Sequence, residues 1–177
     1  MEFPAEREYA AAVRYLLLDA IHELVVGRSA TGVKCVTLTD EILRDHFRWD
    51  PVLPGALLIE AMSQLAGALI EETAVAAGRS GELAVMVGVE KARFLRGARP
   101  GDRLALHASY VSDKQIAAAL RVEAKIEDEL AADAELRFVV NAGAPAELVE
   151  ERARLRQLWR TGKGYALPGA PRQGILG

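Results

Sequence analysis

One cysteine, Cys35, is all that 177 residues contain. No intramolecular disulfide can form, and without a CxxC pair or a Cys/His cluster at zinc spacing the sequence offers no metal framework. Charge of one sign is equally scarce. The 22 Lys and Arg nearly balance 25 Asp and Glu, and a net charge of −3 gives no whole-chain attraction to nucleic acid or to an anionic membrane. No apolar run is long enough to cross a bilayer, and Met1–Tyr15, with Glu2, Glu6, Arg7, Glu8 and Arg14, lacks the apolar core of a signal peptide. There is no internal repeat and no glycine-rich phosphate loop, so nucleotide-dependent chemistry finds no support. What is there is 51% apolar and 27% charged, the balance of one globular domain with a short appendage. At this length folding buries roughly 70% of the unfolded surface, enough for a core without a staple. The expected location is a reducing compartment, the cytoplasm.

Along the chain the hydrophobic period changes. Ala5 to Val26 reads as helical at first, with Tyr9, Ala12, Val13 and Leu16 at three- and four-residue spacing, then becomes an apolar run that Gly27 ends. Gly32 to Thr39 is rich in β-branched residues and reads as a strand, after which Thr39 and Asp40 can start a helical turn through Leu43. A loop from Arg44 to Pro54 follows. Gly55 to Ala77 predicts one long helix closed by Gly78, apolar almost all round and therefore wrapped by other structure. Beyond it the period is two. Gln115–Glu127 and Ala132–Val140 alternate apolar and charged residues around a hairpin connection at Asp128-Glu129, while Leu83–Phe94 and Leu104–Val111 are two further strands separated by Pro100-Gly101-Asp102. About five mostly antiparallel strands wrapping one helix give an α+β fold. The composition shifts after Gly143, which divides the chain into a core at 1–143 and a charged helix with a Gly/Pro-rich tail at 144–177, read as an appendage with a solvent-facing helix.

The chemistry concentrates between Asp45 and Gln64. His46 sits on a constrained loop, and a histidine titrates in the neutral range, which suits proton transfer. Gly55 opens the helix, where backbone N–H groups without intrahelical partners point the positive end of the dipole at whatever lies ahead. A thioester carbonyl placed there would have its enolate charge stabilised. Glu60 is flanked by Leu57, Leu58, Ile59, Ala61 and Met62, so a wrapped helix would desolvate its carboxylate and favour the protonated form. Gln64, one turn on, can hydrogen-bond that carboxyl. Together these groups suggest β-elimination of water.

The order His-Phe, Pro-Val-Leu-Pro-Gly, Leu-x-x-Glu-Ala-Met-x-Gln resembles the active-site signature of the (3R)-hydroxyacyl-acyl-carrier-protein dehydratases of the hot-dog fold. The likeness extends upstream through Arg14–Asp19 and Val33–Thr37 and downstream through Val89–Phe94 and Pro100-Gly101-Asp102, covering roughly Tyr9 to Val140. It implies an antiparallel sheet around one long helix and a homodimer, assembled in many members as a trimer of dimers. Each active site would combine His46 of one subunit with Glu60 of the other. It further implies that His46 is the acid–base group at C2, that Glu60 helps the β-hydroxyl leave as water, and that the Gly55 amide polarises the carbonyl. The substrate would be an acyl chain on the phosphopantetheine of acyl carrier protein, in fatty acid or polyketide-type biosynthesis, with no metal or other cofactor. Where the family has Gly-His-Phe-Pro-Gly, this chain has Asp45, Arg48 and Trp49 at the first glycine, the proline and the second glycine. That departure motivates an alternative, a non-catalytic hot-dog subunit that binds acyl chains or an active partner. An acyl thioesterase on the same fold is a further alternative.

Carrier proteins are acidic, so Lys91, Arg93 and Arg96, with Arg99 and Arg103, form a candidate docking surface by charge complementarity. The plainer reading is a solvated strand edge. His22, in a helix-like pattern, and His107, in a strand, are expected to be structural, and Cys35 to be a small buried hydrophobe.

Overall fold

The computed structural model describes residues 16–162. The period-two segments become an antiparallel sheet of six strands: β1 (Ala20–Val25), β2 (Ser29–Cys35), β3 (Leu83–Phe94), β4 (Arg103–Lys114), β5 (Ala117–Ile126) and β6 (Glu129–Asn141). Their order is β1-β2-β4-β5-β6-β3. The β5–β6 connection is the tight hairpin expected there. Glu127 and Asp128 both have positive φ (51° and 69°), the sign that a two-residue turn needs to match the twist of its strands.

The inner face of this sheet holds Leu104, Leu106, Leu120, Val122, Ile126, Leu136 and Phe138, all buried. Against it lies α1 (Gly55–Ala76), whose Met62, Leu65 and Leu69 are fully enclosed. Burying each such side chain contributes roughly 1.5–3 kcal/mol. Alanines at 108, 118, 124, 132 and 134 are buried on the same sheet, and their small volume lets the sheet curl closely round the helix. Gly78, with φ +78°, ends the helical segment in a conformation that costs other residues but not glycine.

Three expectations need correction. The helical reading of Ala5–Val26 fails where it can be examined: residues 5–15 lie outside the described ones, residues 16–19 form no helix, and Ala20–Val25 is β1. The sheet therefore has six strands and not five, and His22 stands on a strand, at a bulge between Ile21 and Glu23. A short apolar run reads alike for helix and strand, and here pairing with β2 decides. Cys35 is exposed because the inward position beside it is taken by Lys34, which reaches Asp19 at 3.7 Å and Asp40 at 3.8 Å.

The third correction concerns the C-terminal segment. Ala146–Thr161 forms α2, but Leu155, Arg156 and Trp159 on it are buried, Trp159 to 3% exposure. The helix is docked on α1 through its arginines and is no loose appendage. Among the described residues no helix is long and apolar enough to cross a membrane.

Candidate active site

His46 lies between a 3-10 turn (Glu41–Leu43) and α1. Its loop is closed on itself: the Val52 N–H donates to the His46 carbonyl at 2.8 Å, and Phe47 and Asp50 exchange backbone bonds of 3.2 and 3.0 Å. The His46–Phe47 peptide is cis, and the two rings stack with centroids 4.2 Å apart. Nδ1 of His46 is 2.9 Å from the Val52 carbonyl oxygen. A carbonyl can only accept, so Nδ1 carries the proton in the neutral ring, and Nε2 keeps the lone pair that a base requires.

Two ties hold this loop to the segment after β3. The Leu53 N–H donates to the Ala98 carbonyl at 2.8 Å, and the Arg99 guanidinium grips both oxygens of Asp50. Arg99 keeps the Asp50 carboxyl below the ordinary carboxylate range, and Asp50 in turn raises the guanidinium. The backbone of Arg99 is itself fixed, its N–H donating to Asp102 Oδ2 at 2.8 Å.

At the start of α1 the Pro54 carbonyl accepts from Leu57 and Leu58 at 2.9 and 3.0 Å, which leaves the first N–H groups, Gly55 included, without intrahelical acceptors. Glycine also leaves room for an aromatic ring here. A Cβ at position 55 would lie 2.9 Å from the ring of Phe94, which packs over the helix start from the end of β3.

Glu60 is half-buried, so within one chain it is less enclosed than its apolar neighbours suggested. Its Oε1 accepts from Gln64 Nε2 at 2.9 Å. The Gln64 oxygen accepts from the N–H groups of Leu17 and Leu18, both at 3.0 Å, which fixes the amide with its NH₂ toward the carboxylate. Gln64, 6% exposed, is thus a strut between the lead-in to β1 and Glu60. The structure brings Glu60 and Gln64 together. Among the described residues no hydrogen bond or ion pair joins His46 to Glu60.

Lys91, Arg93 and Arg96 each face carboxylates of the same chain. Lys91 lies 3.4 Å from Glu135, Arg93 forms a two-point pair with Asp133 at 2.9 and 2.6 Å, and Arg96 reaches Glu129 at 3.5 Å and Glu127 at 3.6 Å. Arg93 holds the Asp133 carboxyl below its usual range. Arg103 reaches His22 at 3.4 Å.

The sequence pattern did not point to Phe94 over Gly55, to the Asp50–Arg99 clamp, or to the Leu17 and Leu18 amides on Gln64. Each joins residues 39 or more positions apart, and only folding brings such pairs together.

Residues 11–135 match the FabA-like domain family. A 3-hydroxyacyl-[acyl-carrier-protein] dehydratase FabZ of Thermoanaerobacter sp. (strain X514) is 38% identical over 129 residues, covering 71% of this chain and 87% of that protein. The protein of the same name from Lactobacillus helveticus (strain DPC 4571) is 37% identical over 125 residues, covering 71% and 82%. Among solved structures, a hot-dog-like protein from Thermanaerovibrio acidaminovorans superposes with a TM-score of 0.55 at 22% identity, covering 75% of this chain and 93% of the other. The structure of smu.793 from Streptococcus mutans UA159 bound to acetyl CoA gives 0.58 at 17% identity, covering 74% and 94%. These last two likenesses show the fold, a hot-dog.

Proposed function

This chain belongs to the FabA-like domain family, and on that premise we propose that His46, Gly55 and Glu60 eliminate water from a 3-hydroxyacyl thioester carried by acyl carrier protein. The activity is that of a 3-hydroxyacyl-acyl-carrier-protein dehydratase, a hydro-lyase of fatty acid biosynthesis. The observation that carries the assignment of roles is the bond from His46 Nδ1 to the Val52 carbonyl, which leaves Nε2 free to take a proton.

In the proposed sequence the thioester carbonyl accepts from the Gly55 N–H at the positive end of α1, so the enolate that forms when Nε2 removes the C2 proton is stabilised as it develops. Glu60, steadied by Gln64, supplies a proton to the C3 hydroxyl, and water departs as the C2–C3 double bond forms. The product is the trans-2-enoyl thioester. The acyl chain arrives on phosphopantetheine, a part of the substrate, and the reaction is placed in the cytoplasm with its carrier.

We further propose that the two halves of the site come from two subunits of a homodimer. Among the described residues no hydrogen bond or ion pair joins His46 to Glu60, whereas β3 is an edge strand with Val85, Val87 and Val89 exposed, a row of apolar side chains beside unpaired backbone groups that a second copy would cover. A trimer of dimers is a further step of the same proposal. Carrier docking falls to Lys91, Arg93 and Arg96. Exposed ion pairs are worth about 0–1 kcal/mol each, so their carboxylate partners can be exchanged for those of an acidic carrier.

His46→Ala and Glu60→Gln should each lower dehydration by ~10²–10⁴-fold with the fold intact. Mass spectrometry of the carrier-bound acyl group reads this directly as loss of water from the 3-hydroxyacyl species. Retention of most activity in both variants would remove the assigned roles, and release of free carrier thiol would mark thioester hydrolysis in place of elimination.

A further inference from the structure

The outer face of the sheet, opposite α1, carries a ladder of matched charges: Arg93 pairs with Asp133, Arg137 with Glu90 and Lys91 with Glu135. One region departs from it, a cavity of about 490 Å³ over β1, β2, β4 and β5. Its floor is low because little stands there. Gly32 and Leu106 are opposite each other. A Cβ on Gly32 would meet Leu18 and Leu65 on the inner side, and the Leu106 side chain is buried in the core, so both offer only backbone to the outer face. Ala105 beside them adds a methyl group.

The longer side chains round this floor are sorted by chemistry. Arg103 and Lys125 form one end. Lys125 is opposite Ala105 across β4 and β5, and the Arg103 guanidinium extends over β2 to β1, where Nη2 lies 3.4 Å from His22 Nε2. A guanidinium only donates, so that nitrogen accepts. Among the described residues neither Arg103 nor Lys125 forms an ion pair. The other end is a single rung of the sheet: Thr31 is opposite His107, and His107 is opposite Glu123, all three half-buried. Among the described residues these three side chains make no hydrogen bond or ion pair. The two ends are two residues apart along β5, about 7 Å.

We propose that this cavity binds a sugar phosphate, its phosphate between Arg103 and Lys125 and its hydroxyls on Thr31, His107 and Glu123. Cations without counter-charges draw the phosphate, and charge-assisted bonds to it are the strong kind. Phosphate alone would leave the far end unused. A carboxylate beside an anion is repelled, whereas a sugar ring holds the phosphate away from Glu123 and donates hydroxyl hydrogens to it. The lining has no Phe, Tyr or Trp on which a nucleobase could stack, and the volume lies within the range of roughly 300–1,000 Å³ typical of small-molecule sites. The cavity is on the other side of the sheet from α1 and Glu60, so the proposal does not depend on the dehydratase reading.

Calorimetric titration of the full chain with ribose 5-phosphate, and separately with inorganic phosphate and with ribose, tests this. Ribose 5-phosphate should bind saturably and at least about tenfold more tightly than either fragment, because both ends of the cavity are engaged together. Lys125→Gln and Glu123→Gln, each verified to melt as the wild type does, should weaken it about tenfold apiece, the loss of one charge-assisted bond. Absence of saturable ribose 5-phosphate binding overturns the site. Equal affinity for ribose 5-phosphate and inorganic phosphate means an adventitious ion only and overturns it too. Affinity unchanged in both variants puts the ligand elsewhere on the chain, with the same result.

Discussion

The Asp50–Arg99 pair touches no reacting atom, yet it holds the loop that presents His46. Both partners are exposed, so screening by solvent keeps its contribution small, and its value lies in geometry. Its pH dependence has a defined sign. Asp50 has a folded pKa depressed by Arg99 below the ordinary 3.8, so its stabilisation is fully present above that value and lost as pH falls through the lower folded one. Melting temperatures of wild type and Asp50→Asn should therefore differ by a constant, small amount from about pH 5 upward, and converge in stronger acid. A difference that grew as pH rose above neutrality would contradict the clamp. At this scale His46, Gly55, Glu60 and Gln64 were legible, because their order along the chain reports the loop and the helix start directly. Phe94 was not: its contact with Gly55 depends on where β3 ends, and no local pattern encodes that.

Among elements, α1 and the four strands after it were readable from hydrophobic period, since each is long and keeps one period throughout. β1 and α2 were not. β1 is short and its two polar residues, His22 and Glu23, stand side by side and break any alternation, and α2 has a surface so rich in Arg and Glu that it reads as solvated, although Arg156 and Trp159 point inward. Buried ion pairs look like exposed ones in a sequence. The pairing across α1 and α2 has a measurable consequence: Glu71→Gln leaves Arg156 with Glu72 as its remaining carboxylate partner and should cost about 1–3 kcal/mol in denaturant unfolding. The double replacement Glu71→Leu with Arg156→Leu removes both charges and should recover most of that loss. If the single variant unfolds within about 0.5 kcal/mol of wild type, as ordinary surface changes do, the pair is not the anchor of α2.

For the whole molecule, the curled sheet leaves β3 as a 12-residue edge, with Val87 61% exposed. A dimer formed there would bring a second His46 and a second Glu60 into one assembly, as the proposed function requires. Val87→Lys places a charge in the middle of that edge, where a paired strand would bury it, and should yield monomers that have lost most dehydration. Sedimentation alongside turnover checks both at once, and a monomer as active as wild type would mean that each chain holds a complete site. The Gln64 strut adds a rule about where a shortened chain can begin. Two amides just ahead of β1 occupy its oxygen, so trimming into Leu17 or Leu18 would strip the glutamine of that anchor and let the Glu60 carboxyl swing, even with every strand and helix still in place.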